Sequence, residues 1–165
     1  MMKTKINILI IDDDPDTRHF ISNVLEAEGF LALSAETAEK GLDMALNLDP
    51  CAVILNIALP DHAGVTIYRN MKKIEKLKDI PVILESSLTE RTFSRWRDSA
   101  GFPRDAESDD KLIYFEKPLE ADVIIRLIRK IVSERIEPNE QDNKTDPVLP
   151  KPFSCPAKKR GCSCP

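Results

Sequence analysis

No hydrophobic run in this chain is long enough to cross a membrane or to serve as a secretory leader. The first apolar stretch, residues 6–11, is broken by Asn7 and stops at an aspartate run. That absence points to a cytoplasmic protein with no membrane contact. A disulfide framework is missing too: the four cysteines are Cys51 and then Cys155, Cys162 and Cys164 near the end, a spacing that does not staple a fold. Reduced thiols are expected. There is no basic face either, since residues 1–64 hold 11 acidic and 4 basic residues and residues 65–165 hold 17 acidic and 20 basic. Such a balance does not build a nucleic-acid groove. No internal repeat is visible, and 165 residues with 42% hydrophobic content bury one ordinary core but hardly two.

What is present is an alternation of short apolar runs and amphipathic stretches. Residues 6–11 read as a buried first strand. Asp14-Pro15 then offers a capping side chain followed by proline at the first helical turn, and Phe20, Ile21, Val24 and Leu25 form an apolar face that Gly29 terminates. Residues 30–33 read as a second strand and 37–48 as a second helix. The stretch 53–64, VILNIALPDHAG, is the organising one: a buried strand stops at the polar Asn56, and Pro60 and Gly64 punctuate the turn that follows. Helical spacing over 65–77 puts Ile67, Met71 and Ile74 inward. Residues 80–84 read as the fourth strand and 112–115 as the fifth. The stretch 119–136 is the clearest helix, with Val123, Ile124, Leu127, Ile128, Ile131 and Val132 on one face.

Five strands alternating with helices predict an α/β fold, a parallel sheet covered on both faces with right-handed crossovers. From residue 137 the chain carries proline, charge and amides without periodicity, so the expected organisation is a domain over 1–136 and a disordered tail over 137–165. In such sheets chemistry collects at the carboxyl edge. There the strand ends supply Asp12 and Asp13, then Asn56, then Ser86 and Ser87, then Lys117. Paired carboxylates suit a hard cation such as Mg²⁺. A hydroxyl and an ammonium suit phosphoryl oxygens. The plainer reading has the aspartates solubilising a strand end and capping a helix.

The motifs IIDDDPDTR, NIALPDHAG, PVILESS and YFEKPL, in that order and with the Asn56 to Ser86 spacing, resemble the receiver domain of two-component response regulators over roughly residues 5 to 135. The resemblance implies a flavodoxin-like five-stranded sheet in the order 2-1-3-4-5. It also implies a phosphoryl group carried on an aspartate at the end of the third strand, with Mg²⁺ held by Asp12 and Asp13. By position it implies Ser86 as the hydroxyl residue, Tyr114 as the switch aromatic, Lys117 as the phosphate-pocket lysine and a cis bond at Lys117-Pro118. The acceptor does not carry over. Asn56 stands where the family has aspartate, and a neutral carboxamide forms no stable counterpart of an acyl phosphate. The metal site also loses a charge worth about 4 kcal/mol at 4 Å and an effective dielectric near 20. No cofactor is therefore required, and Mg²⁺ binding is expected to be weak. With one anion fewer, Lys117 should turn to Asp12 or Asp13.

Other residues have plainer roles. Asp61 and His62 lie beyond the strand end and are expected to be solvated rather than substitute acceptors, and His19 belongs to a helix surface. Glu85 ends an otherwise apolar strand; period two turns it away from Ser86, and Arg91, Arg95 or Arg97 are its expected partners. Residues 88–111 interleave Arg91, Arg95, Arg97 and Arg104 with Phe93, Trp96 and Phe102, a mixture that interfaces favour. Arg91, Arg95, Trp96 and Phe102 form the expected partner surface, while Phe93 suits helix packing onto the sheet. The expected function is an atypical receiver, a pseudo-receiver that is not an enzyme. It would bind a protein partner, a histidine kinase or another signalling protein, without accepting phosphate. The competing classes are a metal-dependent phosphohydrolase using Asp12, although its D-x-D-x-T spacing is not met, and a metal or redox sensor built on the tail cysteines.

Overall fold

A computed structural model describes residues 5–89, 91–93, 95 and 112–136. Trp96, Phe102, Arg97, Arg104 and the three tail cysteines lie outside the described residues, as does the expected tail over 137–165. The described chain runs β1 (Asn7–Ile11), α1 (Pro15–Ala27), β2 (Leu31–Ala35), α2 (Ala38–Leu48), β3 (Ala52–Asn56), a short 3₁₀ turn (Pro60–His62), α3 (Ala63–Lys73), β4 (Val82–Ser86), β5 (Leu112–Glu116) and α4 (Ala121–Ile136). All strand pairs are parallel and the sheet order is 2-1-3-4-5, as expected.

Strand alternation divides the core into two layers. Ile8, Ile10, Ile54 and Ile83 face α1 and α4, packing on Ile21, Leu25, Ile124, Leu127, Ile128 and Ile131. Leu9, Ile11, Val53, Leu55, Val82 and Leu84 face α2 and α3, packing on Ala45, Val65, Ile67, Tyr68 and Met71. Each such aliphatic side chain, fully buried, contributes about 1.5–3 kcal/mol of transfer free energy. That is why β1, β3 and β4 show no polar alternation: both faces are covered.

Local signals set the boundaries. Asp14 caps α1, its carboxylate accepting from the Asp16 and Thr17 amides, with Pro15 at the first helical position. Gly29 follows the helix at φ 86°, a left-handed conformation that favours glycine. Several elements differ from their sequence expectation, β2 for example running Leu31–Ala35 rather than 30–33. Helix α3 ends at Lys73 rather than near Leu77, because Ile74 turns extended at φ −92°, ψ 119° and the next turn carries Leu77 into full burial. Strand β4 starts after Pro81 and continues through Glu85 and Ser86, both buried, so the two polar residues belong to the sheet itself.

Candidate functional site at the carboxyl edge

The carboxyl edge is held by backbone bonds that continue past the strand ends. The Asp12 amide donates to Ala35 O at 3.2 Å, the Ile57 amide to Glu85 O at 3.0 Å and the Lys117 amide to Ser86 O at 2.8 Å. Gly64 closes the loop after β3 against the strand end. A Cβ there would lie 2.5 Å from the Ile57 carbonyl oxygen and 2.6 Å from that of Asn56, so only glycine allows the approach. The residues converging on this edge are therefore held from both backbone and loop.

Asp12 is the hub. It is fully buried, and its Oδ1 accepts from the Asp14 amide at 2.8 Å and from Asn56 Nδ2 at 3.3 Å, while its Oδ2 accepts from Lys117 Nζ at 2.6 Å. The expected turn of Lys117 toward the aspartates is thus met at Asp12. Asn56 is buried too. Its Nδ2 also donates to Asp13 Oδ1 at 3.1 Å, and its Oδ1 accepts from the Ala58 amide at 2.9 Å. Two carboxylates on one side and an N–H on the other fit only one orientation of the amide. The amide N–H₂ group thus donates to both carboxylates.

Among the described residues Glu85 does not pair with Arg91 or Arg95, both exposed, which corrects that part of the sequence expectation. It is 1% exposed and does point away from Ser86, but the face it points to is the one shared by Asp12 and Asn56. The reason is register: Val53, Ile54, Leu55 and Asn56 lie opposite Val82, Ile83, Leu84 and Glu85. Glu85 shares this face with Asp12, and its Oε1 lies 3.6 Å from Lys117 Nζ without a hydrogen-bond partner. Burial first, and then the bond to Asp12, push its carboxyl up to about 8. Burial acts on Asp12 in the same direction, but the hydrogen bonds from Glu85, Lys117 and the Asp14 amide outweigh it and hold Asp12 below the usual range. Burial lowers the Lys117 value, and its bonds to Asp12 and its proximity to Glu85 more than reverse this. At neutral pH these shifts favour a carboxylate at Asp12, an ammonium at Lys117 and a neutral carboxyl at Glu85.

The remaining sequence candidates separate. Ser86 is buried and alternates to the α2/α3 side, where its hydroxyl accepts from the Leu88 amide at 3.0 Å; Ser87 is exposed. Tyr114 stacks on Phe93 with ring centroids 3.9 Å apart and donates to Leu88 O at 2.6 Å, which gives Phe93 the packing role expected of it. Arg91 and Arg95 are exposed beside it. The Lys117-Pro118 bond is cis. Asp61 and His62 are exposed in the 3₁₀ turn, and His19 is exposed on α1. The residue that sequence reasoning misplaced, Glu85, had a legible signal: VILN and VILE share their first three residues, and aligning the two strands puts Glu85 beside Asn56.

No helix among the described residues is long and apolar enough to cross a membrane. The family model of the response regulator receiver domain matches residues 8–95. Among curated relatives, the DNA-binding dual master transcriptional regulator RpaA of Synechocystis is 31% identical over 126 residues, 76% of this chain and 48% of that protein. The chain thus spans about half the length of that relative. Protein PilH of Pseudomonas aeruginosa is 27% identical over 76% of this chain and 97% of its own length. Among solved structures, chemotaxis protein CheY4 of Vibrio cholerae superposes with TM-score 0.64 at 15% identity, covering 78% of this chain and 99% of that one. A CheY-like receiver domain protein from Methanospirillum hungatei does so with TM-score 0.63 at 24% identity, over 81% and 98%. At these identities the structural likeness speaks for the fold.

Proposed function

The chain belongs to the response regulator receiver domain family, and from that premise we propose that it is a pseudo-receiver, a signalling domain that binds a protein partner without taking a phosphoryl group. The observation that carries this reading is the Asn56 amide, which donates to both Asp12 and Asp13. A carboxamide nitrogen has its lone pair delocalised and here its hydrogens are committed, so position 56 offers no nucleophile.

The donor set fits Mg²⁺ poorly. Asp12 and Asp13 supply the carboxylates, Asp12 already accepts from three donors, and presenting the Asn56 oxygen would cost its bond to the Ala58 amide. A divalent cation would bind weakly and is not needed to neutralise the site, because Lys117 does so. Asp12 is no better placed as a hydrolase nucleophile, since it is fully buried with both oxygens engaged. Output through a surface follows. The exposed Arg91 and Arg95, next to the Phe93 and Tyr114 stack, supply a part of it that suits a protein partner in the cytoplasm such as a histidine kinase.

The test is intact mass after incubation of the full chain with acetyl phosphate and Mg²⁺. The wild type should keep its mass. A gain of one phosphoryl group would overturn the reading.

A further inference from the structure

Glu85 is the group that neither the fold nor the pseudo-receiver reading accounts for. A strand covered on both faces has no need of a carboxyl, yet Glu85 is 1% exposed, register-paired with Asn56, and carries an oxygen with no hydrogen-bond partner. It shares its face of the sheet with Asp12, and the Lys117 ammonium lies 3.6 Å from its Oε1. These are the two groups that phosphoryl transfer to a carboxylate would need free: one to bind a cation, the other to meet the phosphoryl oxygens.

We infer that Glu85 is a second block on phosphoryl chemistry, independent of Asn56. It is a positioning residue that clamps Lys117 and Asp12 to each other. The inference rests on the pseudo-receiver reading and deepens it. Three features of the geometry support it. Lys117 Nζ lies 2.6 Å from Asp12 Oδ2 and 3.6 Å from Glu85 Oε1, so the ammonium is taken. Asp12 accepts from the Asp14 amide, Asn56 and Lys117, which leaves little for a metal. Finally, the Asn56→Asp carboxylate would sit directly opposite Glu85 on one face of the sheet, so that two carboxyl groups crowd the position that must accept the phosphoryl group.

The reaction that would report on the clamp is simple. An oxygen of the carboxylate introduced by Asn56→Asp attacks phosphorus of acetyl phosphate, the P–O bond to acetate breaks, and acetate leaves with the electron pair.

The experiment compares four full-length proteins: wild type, Asn56→Asp, Glu85→Val, and the double variant. Each is followed by intact mass over time with acetyl phosphate and Mg²⁺, with circular dichroism as a check on folding. Wild type and Glu85→Val should stay unmodified, Asn56→Asp should react slowly, and the double variant should react at least tenfold faster. Mg²⁺ titration calorimetry without phosphodonor should show at least tenfold tighter binding for the double variant than for Asn56→Asp, a difference that a merely structural role of Glu85 would not produce. Equal rates and equal Mg²⁺ affinities would overturn the inference and leave Asn56 as the only block, whereas modification of the wild type would overturn the pseudo-receiver reading instead. If Glu85→Val does not fold in the double variant, Glu85→Ala replaces it. The inference falls if no folded apolar variant raises the rate over Asn56→Asp.

Discussion

The two edges of the sheet solve opposite problems with similar residues. At the amino edge, charged and amide side chains close off backbone ends: Asn7 Nδ2 donates to Leu48 O at 2.7 Å, Lys76 Nζ to Leu46 O at 2.7 Å and Arg135 Nη1 to Cys51 O at 2.8 Å. Asn7, Lys76 and Arg135 surround an open cleft of about 430 Å³, where Lys76 also meets Asp49 at 2.9 Å. Water reaches these groups, so each bond adds little and each loss is easily replaced. At the carboxyl edge, Asp12 and Lys117 are bonded to each other with Glu85 3.6 Å from the ammonium, and two of the three are fully buried. There burial and the other members together set the protonation state of each. The amino edge is fastened while the carboxyl edge is balanced, and a balanced cluster is where a single substitution has large effects.

That contrast can be broken most directly at Lys117. Lys117→Met leaves the buried Asp12 and Glu85 without their cation and should cost about 3–5 kcal/mol of stability, the scale for breaking one side of a buried pair. Urea denaturation reads it, and a loss below 1 kcal/mol would mean the cluster is as replaceable as the amino edge.

A smaller effect sharpens the same point through pH. The ordinary Glu value is 4.5 and burial raises that of Glu85 to about 8. Between those limits the unfolded chain has released this proton while the folded chain still holds it. Stability should therefore fall as pH rises through the window, by up to about 1.4 kcal/mol per unit. Asp12, held below its ordinary 3.8, contributes stability that is lost only as the pH falls below that range. Lys117, held above its ordinary 10.5, contributes stability that is lost only as pH rises beyond it. Both lie outside the Glu85 window. Glu85→Gln should flatten the slope between pH 5 and 8 when both proteins are unfolded in urea with a chelator present. An unchanged slope would assign the pH dependence to other groups.

The smallest effect belongs to the amino edge. Asn7→Ala removes one side-chain bond to a helix carbonyl and should cost about 0.5–1.5 kcal/mol, with no pH dependence of its own. A cost as large as that of Lys117→Met would erase the distinction between the edges.

Most of the architecture was legible because apolar runs and helix caps are local. Residues 6–11 ended at Asp12, Asp14-Pro15 opened a helix, and Asn56, Ser86 and Lys117 fell at strand ends; the sheet order followed from the resemblance. The short end of α3 was not legible, since helical spacing continues to Leu77 while the backbone turns at Ile74 to bury that leucine. Within the site, Lys117 was expected to turn to Asp12 or Asp13 once Asn56 removed an anion, and it meets Asp12.

For Glu85 the sequence by itself determined one thing, that it lies on the face of its strand opposite Ser86. Period two settles that within a single strand. Which residues of other strands share that face depends on strand order and register, and neither is a property of one segment. The likeness of VILN and VILE suggests the match of Glu85 with Asn56, but only the pairing of β3 with β4 fixes it and brings Glu85 to 3.6 Å from Lys117. A carboxyl that sequence reasoning assigned to surface arginines thus became the buried fourth member of the site.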